Sequence, residues 1–224
     1  MTLEKDNKTT FYYYTLAPRM RTPILDTDTE IVGFALPNAD IEIAVGDKVY
    51  MVKANGDGYF NQAITAPSAG ASVTVKVNGK SAESETVQTQ PSGDYIIDGT
   101  VIRRYLGEGG NITLPVSAGE SGSITEIGDF AFYGSNLTSV ILPDTAETIG
   151  LGAFMETGLQ SYGWNLNDIN SAKLVYINEY AFRGDNLTSV TMPELTHVIR
   201  TGAFENNKIN MLFLSAPIGA TREK

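Results

Sequence analysis

Ile127-Gly-Asp-Phe-Ala-Phe132-Tyr-Gly-Ser-Asn-Leu-Thr-Ser-Val140-Ile-Leu142-Pro143 decides the fold, because most of it returns further along the chain. Its opening recurs as Ile149-Gly-Leu-Gly-Ala-Phe154, Ile177-Asn-Glu-Tyr-Ala-Phe182 and Ile199-Arg-Thr-Gly-Ala-Phe204. Its second landmark recurs as Leu159-Gln-Ser-Tyr162-Gly-Trp164, Leu187-Thr-Ser-Val190-Thr-Met192 and Ile209-Asn-Met-Leu212-Phe-Leu214. Self-similarity at a period of 20–50 residues is the mark of a repeat architecture, in which each unit buries its apolar face only against its neighbours.

The Phe-to-Phe steps are 22, 28 and 22, and the unevenness sits between the second landmark and the next Ile. Val140 to Ile149 is 9, Tyr162 to Ile177 is 15, and Val190 to Ile199 is 9. Ile112-Thr-Leu-Pro115 reads as an earlier strand, 15 residues before Ile127. Short and long coils therefore alternate. Residues 127–154 laid on 177–204 match at 14 of 28 positions, as a duplicated pair of coils would. The residue two before each Phe alternates as Phe130, Gly152, Tyr180, Gly202, so an aromatic and a glycine take turns at one interlayer position.

Each second landmark fits L-x-x-L-x-L, the strand of a leucine-rich repeat. By the two-residue period of a strand, Val140, Leu142, Val190, Met192, Leu212 and Leu214 are expected inside. Ser139, Ser161, Ser189, Met211 and Ile141, Gly163, Thr191, Phe213 are then expected in two outward rows, and these eight are the candidate ligand-binding residues. The Phe of each Ala-Phe is expected to stack on the opposite wall. Ile-Gly-x-x-Ala-Phe followed by Asn-Leu-Thr-Ser-Val-x-x-Pro resembles the BspA-like bacterial leucine-rich repeats, over about residues 94–215. The third coil departs from the pattern, with Tyr162-Gly-Trp-Asn in place of Val-x-x-Pro. Tyr95-Ile-Ile-Asp-Gly-Thr-Val-Ile102 reads as a hairpin turning at Asp98-Gly99, placed to cap the first coil.

Residues 23–88 read differently. Ile41, Ile43 and Val45, and again Val73, Val75 and Val77, alternate with polar or small residues, and Gly46-Asp47, Asn55-Gly-Asp-Gly58 and Asn78-Gly79 mark turns between such runs. Short strands spaced by turns predict a small β-sandwich. Asp28-Thr-Glu-Ile-Val-Gly33, Pro37-Asn-Ala-Asp-Ile-Glu-Ile43 and Asn55-Gly-Asp-Gly-Tyr-Phe60 resemble a bacterial immunoglobulin-like domain. The expected fold class is mainly β: a small Ig-like sandwich, then a short leucine-rich repeat solenoid with a parallel strand face. The expected domains are a tail or remnant of a preceding module (1–22), the sandwich (23–88), a linker (89–93) and the repeat domain with its hairpin cap (94–224).

Composition then excludes much chemistry. The 224 residues hold no cysteine and one histidine, His197, which removes Cys nucleophiles and Cys- or His-rich metal sites. The net charge of −10 removes the basic footprint that nucleic acid or an anionic membrane surface needs. Residues 1–22, 23–93 and 94–224 carry +2, −5 and −7 by count of side chains, so neither large part is basic. Asp26, Asp28 and Glu30 alternate as Ca²⁺ ligands can, but they read in preference as a solvated entry segment. Gly79-Lys80-Ser81 has Thr74 where a phosphate-binding loop needs glycine, and reads as a turn. Ser139, Ser161 and Ser189 share one repeat position, which argues against a nucleophile. The sequons at Asn7, Asn111, Asn136 and Asn186 include two that belong to the repeat itself. Tyr12-Tyr13-Tyr14 is an aromatic cluster suited to a partner or to a neighbouring strand.

No catalytic residue, metal or cofactor is expected, and the chain is read as not an enzyme. The resemblances imply an extracellular or cell-wall protein whose strand face binds a host or neighbouring-cell protein or glycan. A passive stalk is the other reading. Met211 and Phe213 could equally pack on further repeats or on Ser215-Ala-Pro-Ile-Gly219. With no signal peptide or anchor motif in the sequence, the chain is expected to be a fragment.

Overall fold

The computed structural model describes residues 18–164 and 172–214. The chain falls into two compact units, residues 1–91 and 92–224. The Tyr12–Tyr14 cluster, the Asn7 sequon and the 215–219 segment lie outside the described residues.

The first unit contains β1 (Arg19–Met20), β2 (Glu30–Phe34), β3 (Asp40–Val45), β4 (Lys48–Lys53), β5 (Tyr59–Ala63), β6 (Ser72–Val77) and β7 (Lys80–Thr86). They form two antiparallel sheets, β1-β2-β5 and β4-β3-β6-β7. Alternation does what it predicts in β3 and β6: Ile41 lies across from Val77, Ile43 from Val75 and Val45 from Val73, all buried. Met20, Ile31 and Phe60 of the other sheet join the same core. Each such side chain contributes about 1.5–3 kcal/mol by leaving water. Asn78 and Gly79 take φ of 50° and 76°, which suits the two-residue turn between β6 and β7. Gly58 has φ of 89°, and a Cβ there would lie 2.2 Å from the Ala35 carbonyl oxygen, so the β4–β5 loop closes only with glycine.

Three sequence expectations change here. Arg19 and Met20 pair with Phe34 and Gly33, so the first sheet begins before Pro23; a two-residue strand is too short to show alternation. Asp28 is buried rather than solvated: its carboxylate accepts the Leu25 amide at 2.8 Å and meets Arg21 at 3.5 Å, while Arg21 also reaches Glu30 at 3.3 Å. The Gln88–Gln90 stretch is tied down, with the Asp26 amide on the Gln88 carbonyl and the Gln90 amide on the Asp26 carboxylate.

The second unit contains β8 (Tyr95–Asp98), β9 (Val101–Tyr105), β10 (Gly110–Thr113), β11 (Glu126–Ile127), β12 (Leu137–Leu142), β13 (Thr148–Ile149), β14 (Ser161–Trp164), β15 (Tyr176–Ile177), β16 (Ser189–Met192), β17 (Val198–Ile199) and β18 (Met211–Leu214). One sheet runs β8-β9-β11-β13-β15-β17. It is parallel except for the β8–β9 hairpin at its start, so the hairpin closes that end as the sequence suggests. Ile102, Ile127, Ile149, Ile177 and Ile199 lie in register along it.

The Ala-Phe turns form a second wall of the stack. Phe132, Phe154, Phe182 and Phe204 stack with ring centroids 4.9, 5.1 and 5.1 Å apart and planes within 16°. Tyr105 extends this stack toward the hairpin, 5.1 Å from Phe132. The Phe132, Phe154 and Phe182 amides donate to the carbonyls of Ala153, Ala181 and Ala203 on the next coil, at 2.7–2.8 Å. Phe130, Gly152, Tyr180 and Gly202 all have left-handed φ, between 54° and 65°. A Cβ on Gly152 would sit 3.0 Å from the Phe130 ring, and one on Gly202 would sit 2.4 Å from the Tyr180 ring. The aromatic of one coil thus covers the glycine of the next, which is the cause of the alternation.

Candidate functional site

The strand face is built from parallel β10-β12-β14 and parallel β16-β18. In the first block Asn111, Ser139 and Ser161 share one row, and Thr113, Ile141 and Gly163 the other. In the second block Ser189 pairs with Met211 and Thr191 with Phe213. All eight candidate residues are on the outward rows, but two continuous four-rung ladders are not formed, since β14 and β16 belong to different sheets.

A side-chain contact takes over at the break. Tyr162 and Trp164 occupy the inward register of Val140 and Leu142. The Tyr162 ring stacks on Phe182 of the next coil at 5.0 Å and meets Trp164 edge-on at 5.4 Å. Its hydroxyl donates to the Thr191 carbonyl at 3.2 Å, so a side chain bridges β14 and β16 where backbone pairing stops. Burial pushes the Tyr162 phenol well above its ordinary value and keeps it a neutral donor.

Several of the candidate side chains are already occupied within the face. The Ser139 hydroxyl donates to the Asn111 side-chain oxygen at 2.7 Å. Ile141 is half-buried and lies beside the space a Cβ on Gly163 would take, 3.7 Å from it. Ser161 is exposed, and Ser189 and Thr191 are half-buried. Met211 and Phe213 are each 51% exposed. Leu212, expected inside, is 60% exposed, because no following coil among the described residues lies against it. Ile199 is likewise 51% exposed, whereas Ile127, Ile149 and Ile177 are fully buried.

The turn after each Ala-Phe holds a polar position between the two recurring landmarks. Three residues after the Phe stand Ser135, Thr157, Asp185 and Asn207, short hydrogen-bonding side chains at constant spacing, and that constancy was the available signal. Asp185 Oδ1 accepts the amides of Thr157, Gly158 and Leu159 at 2.9–3.2 Å, and the Thr157 hydroxyl at 2.8 Å, all from the preceding coil. Asn207 repeats this one coil later, its Oδ1 accepting the Leu187 amide at 2.9 Å and its Nδ2 donating to the Phe182 carbonyl at 2.6 Å. Asp185 is buried and its Oδ2 has no hydrogen-bond partner. Burial, opposed by those donated hydrogen bonds, pushes its carboxyl up to about 7.

The other singled-out residues gather no chemistry. His197 is exposed. Asn55 Oδ1 accepts the Asp57 and Tyr59 amides at 2.9 Å, so Asn55-Gly-Asp-Gly58 is a side-chain-braced turn. Gly79 ends the β6–β7 turn and Lys80 opens β7. Asn111, Asn136 and Asn186 are exposed. Among the described residues, no cluster of three or more His, Asp or Glu side chains is arranged to hold a metal. No helix among them is long and apolar enough to cross a membrane.

Short parallel strands returning coil after coil around an aliphatic and phenylalanine core define a leucine-rich repeat protein. The model for the BspA type leucine rich repeat region, in six copies, matches residues 111–222, half of the chain, and the chain belongs to that family. No curated protein matches the sequence. Among solved structures, the chain is similar to a leucine-rich repeat protein from Bacteroides capillosus, with 27% identity, TM-score 0.46, and 57% of this chain and 98% of that one covered. It is also similar to the leucine-rich repeat protein of T. pallidum, with 24% identity, TM-score 0.42, and 55% and 70% covered. A leucine-rich cell surface protein from Faecalibacterium prausnitzii matches with 24% identity, TM-score 0.40, and 56% and 42% covered.

Proposed function

We propose that the chain is a non-enzymatic, cell-surface interaction module. Its repeat unit, a short solenoid, binds a host or neighbouring-cell protein or glycan through the strand face. The observation that carries this reading is the outward side of two parallel strand blocks, Ser139, Ile141, Ser161 and Gly163 in one and Ser189, Thr191, Met211 and Phe213 in the other, which sets small polar and apolar side chains on paired strands. Apolar Phe and Met on such a face are what interfaces favour over Lys and Glu. Family membership supports the surface location. Residues 23–88 are read as an immunoglobulin-like spacer, with the stretch around 89–93 as the junction.

Panels of matrix proteins, mucins and glycans probed with the purified chain are expected to give a hit that weakens when Ile141 and Phe213 become Glu. Absence of any hit rejects the reading. The passive-stalk reading is favoured by one observation, that Ser139 and Ile141 are engaged with Asn111 and Gly163 of their own face. A stalk tolerates charge reversal across the face with adhesion of the parent cell unchanged.

A further inference from the structure

The polar position of the Ala-Phe turn differs from coil to coil in what it gives to the phenylalanine carbonyls. Ser135 donates its hydroxyl to the Phe132 carbonyl at 2.6 Å. Asn207 donates its Nδ2 to the Phe182 carbonyl at 2.6 Å and to the Phe204 carbonyl at 3.1 Å. The Phe154 carbonyl, between them in the stack, has the Thr157 amide at 3.4 Å. Asp185 holds the place from which a side-chain donor to it would come. Its Oδ1 accepts the Leu159 amide just as Asn207 Oδ1 accepts the Leu187 amide at the same repeat position. Its Oδ2 therefore corresponds to Asn207 Nδ2, turned toward the Phe154 and Phe182 carbonyls, and it is buried with no hydrogen-bond partner. Acceptors facing one another out of water are costly, and costlier when one is charged. A carboxylic acid removes the conflict, because it supplies an O–H donor.

We propose that Asp185 is a proton-operated latch between the Phe154 and Phe182 coils. The neutral acid donates its Oδ2–H to the Phe154 carbonyl; when that proton passes to solvent the tie is lost and the junction loosens. The latch sits at the break in the strand face. Thr157–Leu159 leads into β14 and Asn186–Leu187 into β16, the neighbouring strands that belong to different sheets. The same seam is bridged by the Asn186 amide on the Leu159 carbonyl at 2.9 Å and by the Tyr162 hydroxyl on Thr191. Loosening at Asp185 thus reaches the joint between the two strand blocks. The ionisable side chains on the surrounding turns are engaged with other partners. Glu156 accepts the Tyr133 hydroxyl at 3.3 Å, Arg183 pairs with Glu205 at 3.4 Å, and Lys208 reaches the Asn186 side-chain oxygen at 2.9 Å. Burial, rather than any of these charges, raises the Asp185 titration. The latch is independent of what the face binds.

The only tryptophan of the chain, Trp164, lies on β14 beside Tyr162, so the seam carries its own reporter. In the full chain labelled at aspartate carboxyls, one carboxyl resonance is expected to stay protonated to near neutral pH, and Asp185→Asn is expected to remove it. Amide exchange corrected for intrinsic rates is expected to quicken by about tenfold or more at Leu159 and Asn186 from about pH 5 to about pH 8. Trp164 fluorescence is expected to change with the same midpoint, and the Phe132 amide, one coil junction earlier, is expected to quicken less. Asp185→Asn keeps a donor on the second side-chain atom, as Asn207 does, and is expected to hold the low-pH exchange and fluorescence across the range. The proposal is overturned if every aspartate is ionised at about pH 5 to 6. It is also overturned if Leu159 and Asn186 quicken no more than Phe132, or if Asp185→Asn shows the same pH dependence as the unmodified chain. Where Asp185→Asn does not fold, the carboxyl titration and exchange profile of the unmodified chain decide.

Discussion

The coils between the hairpin and β15 and the last coil carry the same residues in the same register, yet their energetics differ. Ile127, Ile149 and Ile177 are fully buried and Ile199 is 51% exposed; Val140 and Val190 are buried and Leu212 is 60% exposed. Sequence places each of these side chains on the inward side, but the next coil is what removes it from water. In such a chain the stabilising unit is the contact between neighbouring coils, so identical residues contribute by position in the stack. The first unit works otherwise, since its buried Ile41 and Val75 are covered within one two-sheet core.

The sharpest test of that difference is the phenylalanine stack. Phe182 lies between Phe154 and Phe204, stacked on both at 5.1 Å, and Phe182→Ala is expected to cost about 3–5 kcal/mol. Phe204, part exposed at the end of the stack, is expected to cost less than half as much on the same change, about 1–2 kcal/mol by its smaller burial. Denaturant unfolding followed by circular dichroism measures both. Equal losses would break the nearest-neighbour account.

The next effect appears only with pH. Asp185 in an interior coil and Asn207 in the last coil do the same job, but only Asp185 titrates. Its carboxyl rises from 3.8 unfolded to about 7 folded, so the folded state holds more protons between those values. The stability it contributes is fully present below pH 4 and is lost as pH rises through about 7, opposite in sign to an ion-paired carboxylate. A shift of that size corresponds to a loss on the order of a few kcal/mol. Melting temperature is expected to fall from pH 5 to pH 8 and to become flat over that range in Asp185→Asn. A slope unchanged in the variant would refute the assignment.

Much of this was legible in the sequence, and the rest was hidden for physical reasons. Repetition gave the Ile ladder and the phenylalanine stack, because each rests on residues whose spacing and type recur, and the Asp98-Gly99 turn gave the hairpin. The exchange of Phe130 and Tyr180 with Gly152 and Gly202 was visible as alternation, although its cause, a ring lying over a backbone, needs the third dimension. The split strand face was foreshadowed only by Tyr162-Gly-Trp164, where larger side chains replace Val and Leu. Burial of Asp28 and exposure of Leu212 were not legible, since both depend on what lies across from them: Arg21 and the Leu25 amide in one case, no following coil among the described residues in the other.

Gly202→Ala tests the interlayer position. A Cβ there falls 2.4 Å from the Tyr180 ring at a φ of 65°, so the change is expected to cost about 1–3 kcal/mol. Gly152→Ala, at 3.0 Å from Phe130, is expected to cost less. Tyr180→Ala should recover the steric part of the Gly202→Ala loss, giving a coupling above about 0.5 kcal/mol in a double-mutant cycle. Strict additivity would show that the ring and the glycine do not share the space.

The smallest expected effect belongs to Leu212. At 60% exposure, Leu212→Ser changes little that is buried within one chain, so in dilute solution its cost is expected to stay within about 0.5 kcal/mol. Val190→Ser, at the buried position one coil earlier, loses both a covered side chain and its packing, and is expected to cost about 2 kcal/mol or more. Thermal unfolding of the two variants reads the difference directly, because Leu and Val at one repeat position then contribute by what covers them, and equal losses would show that Leu212 is covered as Val190 is.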